Sequence, residues 1–416
     1  MLGYCDFQEV AIWLQTKEPA TVSIKYNEIT DSITPIKFTE PIFTVKNNAC
    51  AATIIIKHLK PGKRYNYSVI VNDKEIELPY ETTFQTQALW RWRTDPIDFR
   101  FSTGSCAYIN QAEHDRPGEP YGGDYEIFEA IYRSQPDFML WLGDNTYLRE
   151  PDWNTRTGIL NRYTHTRSIK ELQPLLATTH HYAIWDDHDY GPNNSDRSWW
   201  NKNQTLEAFE MFWANPSYGV GDIKGAITQF QWSDVDFILL DNRWYRSPEK
   251  LIDTNKTILG SAQLQWLKDA LLSSQSTFKV VALGGQFLNP TRVFENYINN
   301  GFEYERQEII DFIYKHDLKN VVFLTGDRHH TELCVLEEDA KPRILDLTIS
   351  ALTSGPSTKR DSDNYLQVEG TFTKKRNYGI LSFSGKTGNR IMNISTHDKD
   401  GNQIWKKSFD EESCEE

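Results

Sequence analysis

The sequence predicts a two-part chain, a small β-sandwich followed by a larger α/β domain. Three observations predict it. Up to about residue 90, apolar residues recur at every second position, with Pro, Gly, Asn and Asp between the runs. From Phe99 onward, short apolar runs alternate with stretches of helical periodicity. Four of those later runs end in clusters of Asp, His, Cys or Tyr.

In the first part, Val10, Ile12 and Leu14 alternate with other residues, as do Val22, Ile24 and Tyr26, and Ala51–Ile56 reads as a further strand. The stretch LKPGKRYNYSVIV, residues 59–71, places a Pro-Gly turn before Tyr65 and Tyr67 and then a strand. That arrangement resembles a fibronectin type III sandwich, in which a tyrosine after the turn hydrogen-bonds back to the loop. Asn72, Asp73 and Lys74 supply the next turn. The sandwich is set at residues 1–92 and closes in the linker QALWRWRTDPID.

The second part is set at 93–410. FRFSTGSC, PDFMLWLGD, HYAIWDD, VDFILLD, FKVVALGG, NVVFLTGD and ILDLTIS read as buried strands. Between them the periodicity predicts helices over 124–134, 204–214, 261–273 and 303–315. The first buries Ile127, Phe128, Ile131 and Tyr132; the third buries Leu264, Leu267 and Leu271, with Ser261 as its N-cap. YGILSFS, RIMNISTH and QIWKKSF return to hairpins, with DKDGN as a turn. The tail, 411–416, is expected to be disordered.

Composition narrows the function. The 416 residues carry a net charge of −13, which argues against specific duplex nucleic acid as a partner. No apolar run reaches the roughly 18 residues that a membrane span needs. Five cysteines at irregular spacing fit neither a zinc motif nor a rich disulfide framework. The start, MLGYCDF, has no basic-then-apolar leader, so the expectation is either a cytoplasmic protein or an exported one whose signal peptide has been replaced.

The strand-end clusters carry the chemistry. They are Gly104-Ser105-Cys106, Gly143-Asp144-Asn145-Thr146-Tyr147, Trp185-Asp186-Asp187-His188-Asp189 and Gly326-Asp327-Arg328-His329-His330. Ligands of open α/β sheets bind at the carboxyl ends of strands. A lone Gly-Asp is usually a turn, and a lone Cys106 usually a buried thiol. Four such clusters converging on one crevice would repel one another unless cations neutralise them.

At these residues the chain resembles the alkaline phosphatase D (PhoD-like) family of calcineurin-like metallophosphoesterases. GSC at 104–106, GDNTY at 143–147, WDDHD at 185–189, DNR at 241–243 and GDRHH at 326–330 occur in that family's order. The resemblance implies a two-sheet sandwich flanked by helices, holding two or more metal ions. It also implies that Asp144 bridges two metals, that Cys106, Tyr147 and His329 complete one site, and that Asp187 and Asp327 serve the other. Thiolate and phenolate suit Fe(III), and the carboxylates suit Ca2+. Gln286, Asn289, Asn193 and Asn194 are further contacts to weigh.

The expected reaction is hydrolysis of a phosphate ester by metal-activated hydroxide, with monoesters and diesters both open. His188 is the candidate for protonating the leaving alkoxide or stabilising the transition state. Arg197 and Arg243 are candidates for clamping phosphate, Arg243 being equally readable as a buried salt-bridge partner. Arg328 is read as facing solvent, and Trp199 and Trp200 as loop packing or a cleft lining. The partners expected are small phosphate esters, phospholipid and nucleotide esters among them. A phosphodiesterase or phospholipase D-like enzyme on the same core is the alternative, and a non-catalytic extracellular metal-binding protein the reading from another class. Export to the periplasm or beyond follows from the resemblance.

Overall fold

The computed structural model describes residues 1–253, 255–294, 296–299, 301–357 and 363–412. The periodicities of the sequence resolve into three sheets. A nine-stranded sheet runs in the order Gln403–Asp410, Asn389–Asp398, Asn377–Lys386, Phe99–Gly104, Phe138–Leu142, His180–Ile184, Leu2–Cys5, Val10–Gln15 and Ala51–Ile56. A six-stranded sheet runs Thr228–Trp232, Val235–Leu239, Phe278–Ala282, Val321–Thr325, Ile344–Thr348 and Glu332–Leu336. The third sheet is built on Thr21–Glu28 and Arg64–Val71.

The strands Phe99–Gly104, Phe138–Leu142 and His180–Ile184 are mutually parallel. So are Val235–Leu239, Phe278–Ala282, Val321–Thr325 and Ile344–Thr348. The two large sheets face each other across one core of Phe, Leu and Val. Phe101 stacks on Phe138 at 4.7 Å, and Phe237 of the second sheet meets Phe138 edge-on at 5.2 Å. Ser105 Oγ donates to Ile349 O at 2.8 Å, and Leu352 N donates to Ser105 O at 2.8 Å. These bonds lock the carboxyl ends of the two sheets together, where the polar clusters begin.

The amino-terminal strands form the two layers predicted, with one difference. Leu2 pairs with His180, so Leu2–Cys5, Val10–Gln15 and Ala51–Ile56 extend the nine-stranded sheet rather than forming a separate one. Leu2 lacked an alternation signal because both faces of its strand are covered. The turn tyrosine behaves as expected: Lys60 N donates to Tyr65 Oη at 2.9 Å. Tyr67 Oη donates to Ala177 O at 2.6 Å, a second tie between the sandwich and the rest.

The four predicted helices occur at Glu126–Arg133, Lys202–Phe212, Gly260–Ser273 and Glu303–Lys315. Ser261 is not an N-cap, because it lies inside the first turn of its helix. Thr257 Oγ1 accepts from Gly260 N at 2.6 Å, and the Glu305 carboxylate accepts from Ile258 N and Leu259 N. Arg156–Arg167 is a further helix without a periodic signal, because its buried side includes Arg162 and Arg167, which break the apolar stripe. Of the expected tail, Glu411 N and Glu412 N are tied to Arg390 and Asn320, and residues 413–416, with Cys414, lie outside the described residues. Cys5, Cys50, Cys106 and Cys334 are free and buried.

Candidate metal centre

The four strand-end clusters converge. Cys106 follows Phe99–Gly104, Asp144 and Tyr147 follow Phe138–Leu142, Asp186 to His188 follow His180–Ile184, and Asp327 and His329 follow Val321–Thr325. The turns that deliver them need unusual backbone. Cys106, Asp144, Asp327 and His329 all have left-handed φ, at 60°, 53°, 67° and 54°. Such conformations cost about 1–3 kcal/mol each in side-chain-bearing residues and persist only where the surroundings hold them. Gly143, at φ 91°, is needed for a second reason: a Cβ there would lie 2.7 Å from Asp186 Cβ.

Donor atoms of Asp144, Asp187 and His188 lie within 4.8 Å of one another, and so do those of Asp186, Asp187 and Asp327. Asp187 is common to both groups. Asp144 reaches the other half of the centre, its Oδ2 lying 3.7 Å from Cys106 Sγ. Its Oδ1 accepts from His188 N at 3.2 Å. Tyr147 Oη and His329 Nε2 are 3.4 Å apart, and the Tyr147 ring packs on His188 at 4.3 Å.

Each candidate donor is itself held. Ser350 Oγ donates to Cys106 Sγ at 3.1 Å, and Ser354 Oγ donates to Tyr147 Oη at 3.2 Å. His329 Nδ1 donates to Gly355 O at 2.8 Å, which fixes the tautomer and leaves the Nε2 lone pair toward Tyr147. Asp189 accepts from Asn145 N, Thr146 N and Asp186 N, so one buried carboxylate organises two of the loops.

The electrostatics are those of crowded acids. Burial, and then Asp187, Asp186, Asp327 and Asp189, push the Asp144 carboxyl well above the usual range. Burial likewise raises the Cys106 thiol and the Tyr147 phenol, with Asp144 adding to both. Burial lowers His329 to about 4. At Asp187 burial opposes ionisation, yet Arg243, His188 and the Asn194 N–H outweigh it and hold the group at about 2.

Arg243 is not placed to clamp phosphate. Its side chain is 1% exposed, its Nε pairs with Asp186 Oδ1, and its Nη2 lies 3.7 Å from Asp187 Oδ1. It sits behind the carboxylates and braces them, the second of the two roles weighed. Arg197 is exposed, with its backbone N bonded to Arg246 O, and its side chain is not brought into contact with the cluster among the described contacts. Arg328 does not simply face solvent, since its Nη1 donates to Gln286 Oε1 and Asn296 Oδ1. Gln286 and Asn289 are drawn away from the cluster to Glu332. Asn194 N donates to Asp187 Oδ2 at 2.6 Å while its side chain is exposed. Trp200 is 63% exposed, beside the half-buried Trp199.

Asp186 is the residue that sequence reasoning missed. Its Oδ1 accepts from Asn242 Nδ2 at 2.7 Å, whereas its buried Oδ2 has no hydrogen-bond partner among the described residues. Asp187 Oδ1 likewise accepts no hydrogen bond among the described residues. Adjacent Asp residues after a strand read as a solvated loop, and only their joint burial at 1% and 2% exposure marks both as special. Ser350 and Ser354 gave no signal, because small hydroxyls after a strand are common turn residues.

The two-sheet sandwich with this crevice is the fold of known phosphoesterases. A solved structure of PhoD matches with a TM-score of 0.76 at 19% identity, covering 97% of this chain and 90% of that one. The purple acid phosphatase PPD1 from yellow lupin (Lupinus luteus) seeds matches at 0.70 and 10% identity, covering 98% and 73%. A family model described as PhoD-like phosphatase matches residues 101–386, and the chain belongs to that family. A second model, described as a domain of unknown function (DUF7800), matches residues 1–89. Alkaline phosphatase D of Bacillus subtilis (strain 168) is 24% identical over 326 residues, 65% of this chain and 52% of the relative. The chain thus spans about half the length of that curated relative.

Proposed function

We propose that the protein is a metal-dependent hydrolase of phosphate esters, acting at the crevice formed by Cys106, Asp144, Tyr147, Asp187, Asp327 and His329. The observation that carries the proposal is the pair of buried carboxylate oxygens, Asp186 Oδ2 and Asp187 Oδ1, that accept no hydrogen bond among the described residues and face a shared group of acids, with Arg243 Nη2 at 3.7 Å from the second as an ion pair. Buried anions without donors are costly, and a cation removes the cost. The donor set divides as two different ions would require. Asp186, Asp187 and Asp327 offer hard oxygens suited to Ca2+, and Cys106, Tyr147 and His329 offer thiolate, phenolate and imidazole suited to Fe(III). Asp144, touching both halves, suits the bridging position.

Ions bound there would supply an acidified water and positive charge for the phosphoryl oxygens. The chain's own residues do the rest. Ser350 and Ser354 direct O–H groups at Cys106 Sγ and Tyr147 Oη, which favours their ionised forms once a cation is present. Arg243 keeps Asp187 ionised and keeps Asp186 in place. His188, half-buried at the mouth with its ring on Tyr147, gives a proton to the leaving oxygen of the ester. Arg197, exposed on the loop whose base is tied to Asp187 by Asn194 N, meets the phosphate from the rim.

The substrates are small esters, and the charge of −13 disfavours duplex nucleic acid. Among the described residues no helix is long and apolar enough to cross a membrane. We place the enzyme outside the cytoplasm, where ferric iron and calcium are both available. Hydrolysis of 4-nitrophenyl phosphate and of its bis-ester, by metal-loaded wild type and by Asp187→Asn, tests the reading. The expected result is turnover by the wild type and a loss of at least about 100-fold in the variant, as removal of one group stabilising transition-state charge produces. Equal turnover by both proteins would contradict it.

A further inference from the structure

Four aromatic rings line one side of the crevice in sequence. His188 packs on Tyr147 at 4.3 Å, Tyr147 on Tyr108 at 4.9 Å, and Tyr108 on Tyr121 at 4.9 Å and 78°. Three of them are covered: Tyr147 and Tyr108 are 4% and 8% exposed, and His188 is half-buried. Tyr121 is 44% exposed. Its hydroxyl lies 3.0 Å from His329 Nδ1, so its ring stands at the edge of the centre.

The backbone that carries the ring, and the ring beneath it, are tied down. Asn110 and Gly122 exchange two hydrogen bonds of 2.9 Å, and Gly123 N donates to Thr353 O at 2.7 Å. Gly123 packs against the Arg376 guanidinium so closely that a Cβ would come within 2.4 Å of its Cζ. Tyr108, beneath Tyr121, is pinned by Asp115 at 2.8 Å and by Arg149 Nε at 3.0 Å. A large ring held open beside a reactive centre, with its ordering cost already met by folding, is a preformed contact surface.

We infer that Tyr121 forms a subsite for the organic group of the substrate, and that this subsite favours flat aromatic or heteroaromatic groups on the ester oxygen. The inference rests on the phosphate-ester reading of the centre beside it. The geometry is that of a wall: Tyr121 is the open ring next to His329, and so stands beside an ester held among Asp144, Asp187 and His329. An uncharged flat group also suits a crevice whose surroundings are acidic.

The test compares phenyl phosphate with cyclohexyl phosphate, which match in size but not in aromaticity, for wild type, Tyr121→Phe, Tyr121→Leu and Tyr121→Ala. The phenolate and alkoxide leaving groups differ in intrinsic reactivity, but that difference is common to all four proteins and cancels when the ratio of kcat/KM for the two esters is compared between variant and wild type. That ratio is expected to fall about three- to tenfold in the Leu and Ala variants, mainly through KM, and to persist in the Phe variant. Calorimetric binding of phenylphosphonate and cyclohexylphosphonate to the same proteins reads the subsite without turnover, and the same ratio of affinities is expected to fall. An unchanged ratio in Tyr121→Ala, with wild-type hydrolysis intact, overturns the subsite alone. A wild-type protein that neither hydrolyses the esters nor binds the phosphonates overturns both the subsite and the phosphatase reading.

Discussion

Arg243 Nη2 lies 3.7 Å from Asp187 Oδ1, and both side chains are buried, at 1% and 2% exposure. The same guanidinium pairs with Asp186 through Nε. One buried cation thus serves two of the four carboxylates of the centre, and it is the largest of the influences that hold Asp187 at about 2 against burial, with His188 and the Asn194 N–H adding to it.

Removal of that cation leaves two buried anions short of a partner. Arg243→Met is expected to destabilise the metal-free protein by about 3–5 kcal/mol, the usual cost of breaking a buried pair from one side. Urea unfolding in the presence of chelator measures it. Added divalent cation is expected to restore part of the loss, because it replaces the missing charge.

Cys106 distinguishes a thiolate ligand from a core thiol. Fe(III) bound by phenolate and thiolate gives a visible charge-transfer band. Cys106→Ser is expected to weaken that band and to lower iron content and turnover together. Absorption spectra and iron assays of the two purified proteins check it; unchanged values in all three would leave Cys106 as packing.

Gly284 tests the placement of Asp186. A Cβ at residue 284 would lie 2.4 Å from Asn242 Nδ2 and 2.7 Å from Asp186 Cγ. Gly284→Ala therefore pushes on the carboxylate itself. Calcium affinity is expected to fall about tenfold or more, within the range found when supporting groups of a metal ligand are disturbed. Titration with calcium, followed by calorimetry, measures it.

Stability toward acid has a contribution far from the centre. His180 is buried with its Nδ1 donating to Gly3 O at 2.9 Å, and burial lowers its pKa from 6.5 to about 4. The unfolded chain takes up this proton below about 6.5, whereas the folded protein resists until about 4. The contribution is therefore fully present above pH 6.5 and is lost as pH falls toward 4. By pH 4.5 the loss amounts to roughly 2–3 kcal/mol. His180→Gln is expected to lose that much less stability than wild type between pH 7.5 and 4.5, as read by urea midpoints at the two pH values.

The strands and the position of the crevice were legible because apolar runs of strand length ended in polar clusters, and the ends of parallel strands meet. The helix face of Ile127, Phe128 and Ile131 and the Tyr65 turn were legible for the same local reasons. What stayed hidden depends on distant partners. Nothing near Leu2 announces its pairing with His180, and nothing near Arg243 announces Asp186, 57 residues away. Asp186 was obscured by its neighbour, since two successive carboxylates read alike until their separate burial is seen. Tyr121 stands between Ala107 and Tyr125 in a stretch without helix or strand, where periodicity has nothing to measure.

The most direct test of the metal-dependent centre is elemental analysis of the purified protein, wild type and Asp187→Asn, alongside turnover of 4-nitrophenyl phosphate. Iron and calcium are expected in near-stoichiometric amounts in the wild type, with turnover that disappears on chelation, and both metal and turnover are expected to be lost in the variant. A wild-type protein that is free of metal and still hydrolyses the ester at its full rate would contradict it.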